Sequence, residues 1–194
     1  MTSRLRVAHL VASVALTYPD ESLLSRLPAL RHALTVVPGR LAEPLGRVVS
    51  YLDTTDLSTV AAHYVETFDL RRKCCLYLTY YTHGDTRRRG LALLSFRQAY
   101  QEAGMSVSDE ELPDHLAVVL EFSAAGHPDA AVQLLMAHRP GLDLLWRALD
   151  AYASPFADAV LAVRASLPPP GRADDEAARR LAQLGPPVEQ VGVL

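Results

Sequence analysis

The chain has only two cysteines, and they are neighbours, Cys74 and Cys75. Adjacent cysteines do not bridge readily, because a relaxed disulfide needs Cα atoms about 4.4–6.8 Å apart and side chains that converge. With no further pair and no CxxC spacing, a disulfide framework and a cysteine zinc site are both excluded, and two free thiols fit a reducing compartment. Long apolar runs are missing too: none approaches the ~20 residues that cross a bilayer. Arg4 and Arg6 precede an apolar stretch, but His9 and Ser13 interrupt it and no cleavage signal follows. A soluble cytoplasmic protein without membrane insertion is therefore expected. Nor is there an excess of charge: at −3 the chain has no general attraction to nucleic acid or anionic membranes. GxGxxG, P-loop, HExxH and GxSxG motifs are all absent, which removes the commonest nucleotide, metalloprotease and serine-hydrolase chemistries. The seven histidines include no pair at helical metal-binding spacing, and Glu-xx-His does not occur. The expectation is a protein with no catalytic residues, no metal and no cofactor of its own.

Helical periodicity is what the chain has in abundance. Leu57, Val60, Ala61, Tyr64, Val65 and Phe68 fall at i, i+3, i+4, i+7, i+8 and i+11, with Thr55 or Asp56 as N-cap. Ala92, Leu93, Phe96, Ala99, Tyr100 and Ala103 repeat the pattern after Asp85-Thr86, and Gly104 supplies the stop. Ser108 or Asp109 opens a further helix that takes in Pro113 and ends at Gly126; His127-Pro128 opens another, which Pro140-Gly141 splits. Pro155 begins a last apolar helix that stops at the proline triplet from Pro168 to Pro170. Leu5–Leu16, Glu21–Leu34 (bent or divided by Pro28) and Leu41–Leu52 read as three earlier helices. Leu76–Tyr81 is read as helix despite its aromatic content, because no partner strand is apparent. These readings give an all-α, single-domain bundle of roughly eight to ten helices over residues 1–167. Residues 168–194 form a proline-rich tail, flexible or with one short helix around Asp174–Leu184.

Charge is unevenly placed on this frame. From Arg71 to Arg97 there are seven basic residues and one acid, Asp85, whereas from Glu102 to Glu121 there are six acids and no Lys or Arg. Arg87, Arg88 and Arg89 fall in the first turn after the Asp85-Thr86 cap, where the helix dipole disfavours cations by about 0.3–1 kcal/mol each. A local rule broken without local gain points to function or to a tertiary partner. If Asp114 is helical it shares a face with Val118 and Glu121, with His115 beside it, and such a surface could take a peptide bearing basic and apolar groups. The alternative is that Asp114 and His115 cap or ion-pair the basic run. Tyr77, Tyr80 and Tyr81 at i, i+3, i+4 read as core first and as a binding surface second.

The segment HYVETFDLRRKCCLYLTYYTHGDTRRRGLALLSFRQAYQEAG, followed by ELPDHLAVVLEFSA, resembles the delta-subunit (NarJ-type) assembly chaperones of respiratory nitrate reductase. The elements TFD, LYLTYY, GDTR-RG and ELPD-L--LEF carry the resemblance, which is strong over about residues 55–125. In the wider group of all-helical redox enzyme maturation chaperones a Pro-x-Asp-His loop recurs; here Pro113-Asp114-His115 stands in its place without the intervening residue. The resemblance implies a cytoplasmic, cofactor-free, non-enzymatic protein, a monomer or weak homodimer. It would bind the immature catalytic (alpha) subunit of nitrate reductase, chiefly through that subunit's N-terminal segment, and hold it for molybdenum cofactor insertion. On this chain the client contacts would be Asp114, His115, Glu121 and Glu111 or Glu110, with Tyr81, Asp85, Arg87 and Arg89 of the matching segment. Protonation of His115 would then weaken binding of a basic peptide. Two other readings stay open: a carrier of molybdenum cofactor or nucleotide that uses Arg87–Arg89 for phosphates, and an adaptor that remains in the finished complex.

Overall fold

The computed structural model describes residues 2–106 and 111–187. Among them are eleven α-helices: α1 Thr2–Ala15, α2 Glu21–Leu34, α3 Gly39–Thr54, α4 Leu57–Tyr64, α5 Tyr80–His83, α6 Arg87–Glu102, α7 Leu116–Ala124, α8 Pro128–Ala137, α9 Arg139–Ala151, α10 Ala157–Ser166 and α11 Arg172–Leu184. Ten of them lie within residues 1–167, where eight to ten were expected, and α11 falls on the stretch read as one short helix of the tail.

The centre is α1. Ala8, Val11, Ala12, Ala15 and Leu16 repeat at i, i+3, i+4, i+7 and i+8, and all are buried. Three alanines on that stripe let neighbouring helices come close, and α1 packs on α7, α10, α3 and α2. Two polar residues are buried with it. His9 lies 2.7 Å from Ser123 Oγ on α7 and 2.9 Å from Ser166 Oγ on α10, and Ser13 donates to the Ala117 carbonyl at 2.9 Å. Two of these hydrogen bonds reach α7 and one reaches α10, so α1 is pinned in register as well as by apolar burial. Around it, Leu41, Leu45, Val48, Val49 and Leu52 turn one face of α3 into the core against α10 and α2.

The helix starts follow local chemistry where a cap is free to act. Asp20 accepts from Leu23 N–H at 3.0 Å, and Asp56, not Thr55, accepts from Thr59 N–H at 2.9 Å. Hydroxyl bonds from Ser58 and Thr59 hold the Asp56 carboxyl down at about 2. The Leu57–Phe68 stripe is continuous, but its last turn widens into a π-turn at Val65–Asp69, which packs Phe68 on Phe156. Pro28 sits inside α2 without dividing it.

Two expectations are corrected. Leu76–Tyr81 is not one helix. Arg72–Cys74 forms a 3-10 turn, Tyr77 pairs as an antiparallel bridge with His115, and α5 begins only at Tyr80. Leu78 N–H donates to the Asp114 carbonyl at 3.1 Å and Leu116 N–H to the Leu76 carbonyl at 2.9 Å. A partner more than thirty residues away satisfies that backbone, which local periodicity cannot reveal. The helix expected to open at Ser108 or Asp109 (residues outside those described) does not take in Pro113 and Asp114 either. It begins at Leu116, after an extended His115 at φ −63°, ψ 130°. Asp114 therefore shares no helix face with Val118 and Glu121.

The α1 junction has a measurable consequence. Burial lowers the His9 pKa from its ordinary 6.5 to about 4, and does the same to His138. Between those values the unfolded chain binds protons that the folded chain refuses, so stability present above pH 6.5 is lost as pH falls through 4. Unfolding free energy from urea titrations should drop by roughly 3 kcal/mol per buried histidine between pH 7 and pH 4. His9→Gln should start lower at pH 7 and fall less steeply.

Candidate functional site

The arginine turn and the acidic loop meet at one buried carboxylate. Asp114 is wholly buried; its Oδ2 accepts from Thr79 N–H at 3.0 Å and from Thr79 Oγ1 at 2.6 Å. Arg89 donates through Nε to the same Thr79 hydroxyl at 3.1 Å and places Nη2 3.7 Å from Asp114 Oδ2. Its Nη1 lies 3.5 Å from Asp85 Oδ1, and its guanidinium stands 5.2 Å from the Tyr77 ring centroid. The cation disfavoured by the helix dipole is thus held by two carboxylates and a ring. Asp114 Oδ1 and Arg89 Nη2 have no hydrogen-bond partner in the structure, so the pair is desolvated but not saturated. Tyr100 O–H closes the loop from the far side by donating to the Pro113 carbonyl at 2.7 Å.

The expected site residues therefore part company. Asp114 reaches no solvent and lies beside Arg89, as in the sequence reading that pairs it with the basic run. His115 is buried edge-on against Tyr77 with ring centroids 5.3 Å apart, and burial lowers its pKa. Glu111 accepts from Tyr77 O–H at 2.9 Å and from Leu112 N–H at 2.8 Å. Glu121 is exposed towards the end of α7, and Arg87 is exposed in the first turn of α6. The hydroxyl of the expected cap Thr86 turns back to donate to the His83 carbonyl at 2.8 Å. No acidic surface is assembled from Asp114, His115, Glu111 and Glu121.

Tyr81 and Asp85 do come together, in a cleft of about 820 Å³ between α5, α9 and α11. Tyr81 donates its O–H to the Cys75 carbonyl at 2.9 Å and lies directly on α9, where a Cβ at Gly141 would stand 2.9 Å from Tyr81 Cβ. Tyr80, Leu144, Ala148, Tyr152 and Leu181 add apolar wall, while exposed Arg72, Lys73, Arg147 and Asp85 stand at its edge. The charge at the edge is mainly positive, against the acidic groove expected from the sequence. Burial pushes the Cys75 thiol up to about 11 and raises Cys74 as well, the opposite of the lowered pKa that activates a thiolate. Among the described residues no group of three or more His, Cys, Asp or Glu side chains could hold a metal ion, and no helix is long and apolar enough to cross a membrane.

Sequence reasoning missed the α9 wall. Leu144, Ala148, Ala151 and Tyr152 fall at i, i+4, i+7 and i+8 beside the buried Leu142, Leu145 and Leu149. A second apolar stripe on one helix was the available signal, because one stripe is enough for a core.

Helices α3 to α9 and most of the residues lining this cleft fall within residues 37–162, the span matched by the family model described as nitrate reductase delta subunit. The chain belongs to the nitrate reductase delta subunit family. It is 45% identical over 152 residues to the nitrate reductase-like protein NarX of Mycobacterium tuberculosis, covering 78% of this chain and 23% of NarX. It is 33% identical over 150 residues to the nitrate reductase molybdenum cofactor assembly chaperone NarJ of Escherichia coli K12, covering 76% of this chain and 64% of NarJ. The chain thus spans less than a quarter of NarX and just under two thirds of that NarJ. A crystal structure of a protein from Archaeoglobus fulgidus described as a redox enzyme maturation protein superposes with a TM-score of 0.60 at 25% identity, over 82% of this chain and 91% of that one. This delta-subunit family member shares its all-helical architecture with that archaeal protein, and α11 lies beyond the span of the family model.

The buried pair and the exposed acid predict opposite responses. Asp114→Ala leaves a largely buried guanidinium and the Thr79 N–H short of an acceptor, and should cost about 3–5 kcal/mol in urea unfolding. Glu121→Ala should leave the unfolding midpoint in place.

Proposed function

We propose that this protein is an assembly chaperone that binds the immature catalytic subunit of a nitrate reductase and holds it while molybdenum cofactor is inserted. Membership of the delta subunit family supports this reading, and the Escherichia coli relative is named as a nitrate reductase molybdenum cofactor assembly chaperone. The α5–α9–α11 cleft is the place we assign to the client's N-terminal segment, as an amphipathic helix laid in a groove. Tyr80, Leu144, Ala148 and Tyr152 would take its apolar side, Asp85 a basic side chain, and Arg72, Lys73 and Arg147 its carboxylates. Asp114, His115, Glu111 and Arg89 act behind this surface. They fix the turn from which α5 and Asp85 project, and so serve the client without meeting it. Arg87 and Arg88 are exposed in the first turn of α6; Glu121, on α7, is outside the cleft.

The carrier reading is weaker on geometry. Phosphate capture by three arginines requires them to converge, and here Arg89 turns inward to Asp114 and Thr79 while Arg87 and Arg88 are exposed. Residence in the working enzyme, the adaptor reading, is separated from the chaperone reading by one preparation. The chain captured from cells blocked in molybdenum cofactor synthesis should bring down the apo catalytic subunit, and mature nitrate reductase should be free of it. Equal capture from blocked and unblocked cells would count for the adaptor. For the cleft, Ala148→Trp should weaken binding of the catalytic subunit's N-terminal peptide at least about tenfold in calorimetry with thermal unfolding unchanged. Unaltered affinity would place the client elsewhere.

A further inference from the structure

The glycine of the GDTR element has no part in the Asp114 network, yet its backbone permits no other residue. Gly84 ends α5 at φ 55°, ψ −155°, a conformation open essentially to glycine alone. A Cβ there would stand 1.8 Å from the carbonyl oxygen of Pro187. The chain leaving α11 therefore lies directly on the backbone of Gly84, beside Asp85 at the cleft edge.

The course of that chain is set by Gly185, Pro186 and Pro187. Gly185, at φ 70°, turns it out of α11, and its N–H closes the helix on the Leu181 carbonyl at 2.9 Å. Two prolines follow; they have no N–H to donate and hold the backbone extended. All three residues line the cleft, and Pro187 is exposed on its other side. The helix that carries them is itself lightly held: Ala178 is its one buried residue, whereas α9 across the cleft buries Leu142, Leu145 and Leu149 completely. One wall of the cleft is therefore fixed in the core, and the other rests on it by shape, without backbone N–H bonds from either proline.

We propose that Gly185–Pro187 is a displaceable strap, seated on Gly84, that covers the cleft until a client segment lifts it; this rests on the cleft being the client site. A cover that must be lifted reduces apparent affinity by the fraction of time the cleft stands open. It also shields an apolar surface in the client-free protein.

Two full-length variants test the strap. Gly84→Ala puts a methyl group where the Pro187 carbonyl sits, and Pro186→Gly with Pro187→Gly makes the strap flexible without touching the cleft floor. Circular dichroism first verifies that each is folded, and the double glycine variant serves if Gly84→Ala is not. Each is titrated with the anionic apolar dye 8-anilinonaphthalene-1-sulfonate and, separately, with the catalytic subunit's N-terminal peptide. Both ligands should bind about fivefold more tightly than to the wild type, the gain for a cleft uncovered about a fifth of the time. Unchanged dye binding in the double glycine variant overturns the strap whatever the peptide does. Tighter dye with weaker or equal peptide binding overturns it as a gate, since the strap would then be part of the client contact. Tighter dye with no peptide binding to any of the three proteins supports the strap and removes the client from the cleft.

Discussion

A single buried carboxylate decides how the middle of this protein is arranged. Asp114 has no access to water, so its charge must be met inside, and Thr79 and Arg89 meet it. Those two residues stand on opposite sides of the Gly84 corner, one before α5 and one in the first turn of α6. Satisfying Asp114 therefore fixes that corner. The Tyr77–His115 bridge aligns the two loops along their backbones, and the carboxylate locks them through side chains. The removal of one member would leave the others charged or polar in an apolar setting, which is why the network behaves as a unit.

What the corner supports is a surface of a different character. Tyr81 is held by carbonyls of the preceding turn and pressed on Gly141, so α5 meets α9 with no slack. The aromatic block thus serves as core and, by the same placement, as the back of a cleft. Chemistry at the edge of the cleft is a matter of sorting charges, with Asp85 on one element and Arg72, Lys73 and Arg147 on others. No catalytic constellation is needed for the work that the family's members are named for. Affinity for an unfinished protein asks for apolar area, flanking charge and a means of release.

The residues that reveal this division differ in how openly they do so. Asp20 and Asp56 sit at helix starts that their own neighbours make necessary, and the α1, α3 and α4 stripes state their buried faces in spacing alone. Arg89 is conspicuous as a misplaced cation, yet of its partners only Asp85 is near in the chain; Thr79 and Asp114 lie ten and twenty-five residues away. Tyr77 looked helical because the strand that pairs with it has only a bridge's length. Arg147 carried no sign at all, because a basic residue on a helix is ordinary until a second helix comes to face it.

By itself the sequence determined that the chain is helical, where most of its helices begin and end, that its thiols are unpaired, and which family it resembles. Each of these depends on side chains within about a dozen residues of one another, where periodicity, caps and breakers act, or on words of sequence in a fixed order. Only the tertiary structure decided that Asp114 is buried, that Arg89 turns inward, and that Tyr81, Asp85 and Arg147 line one cleft. Burial and charge pairing are properties of what a residue faces across the fold. The same aspartate would be a solvent-facing ligand on one helix register and a structural lock on another, and the choice was made by Thr79 and Arg89.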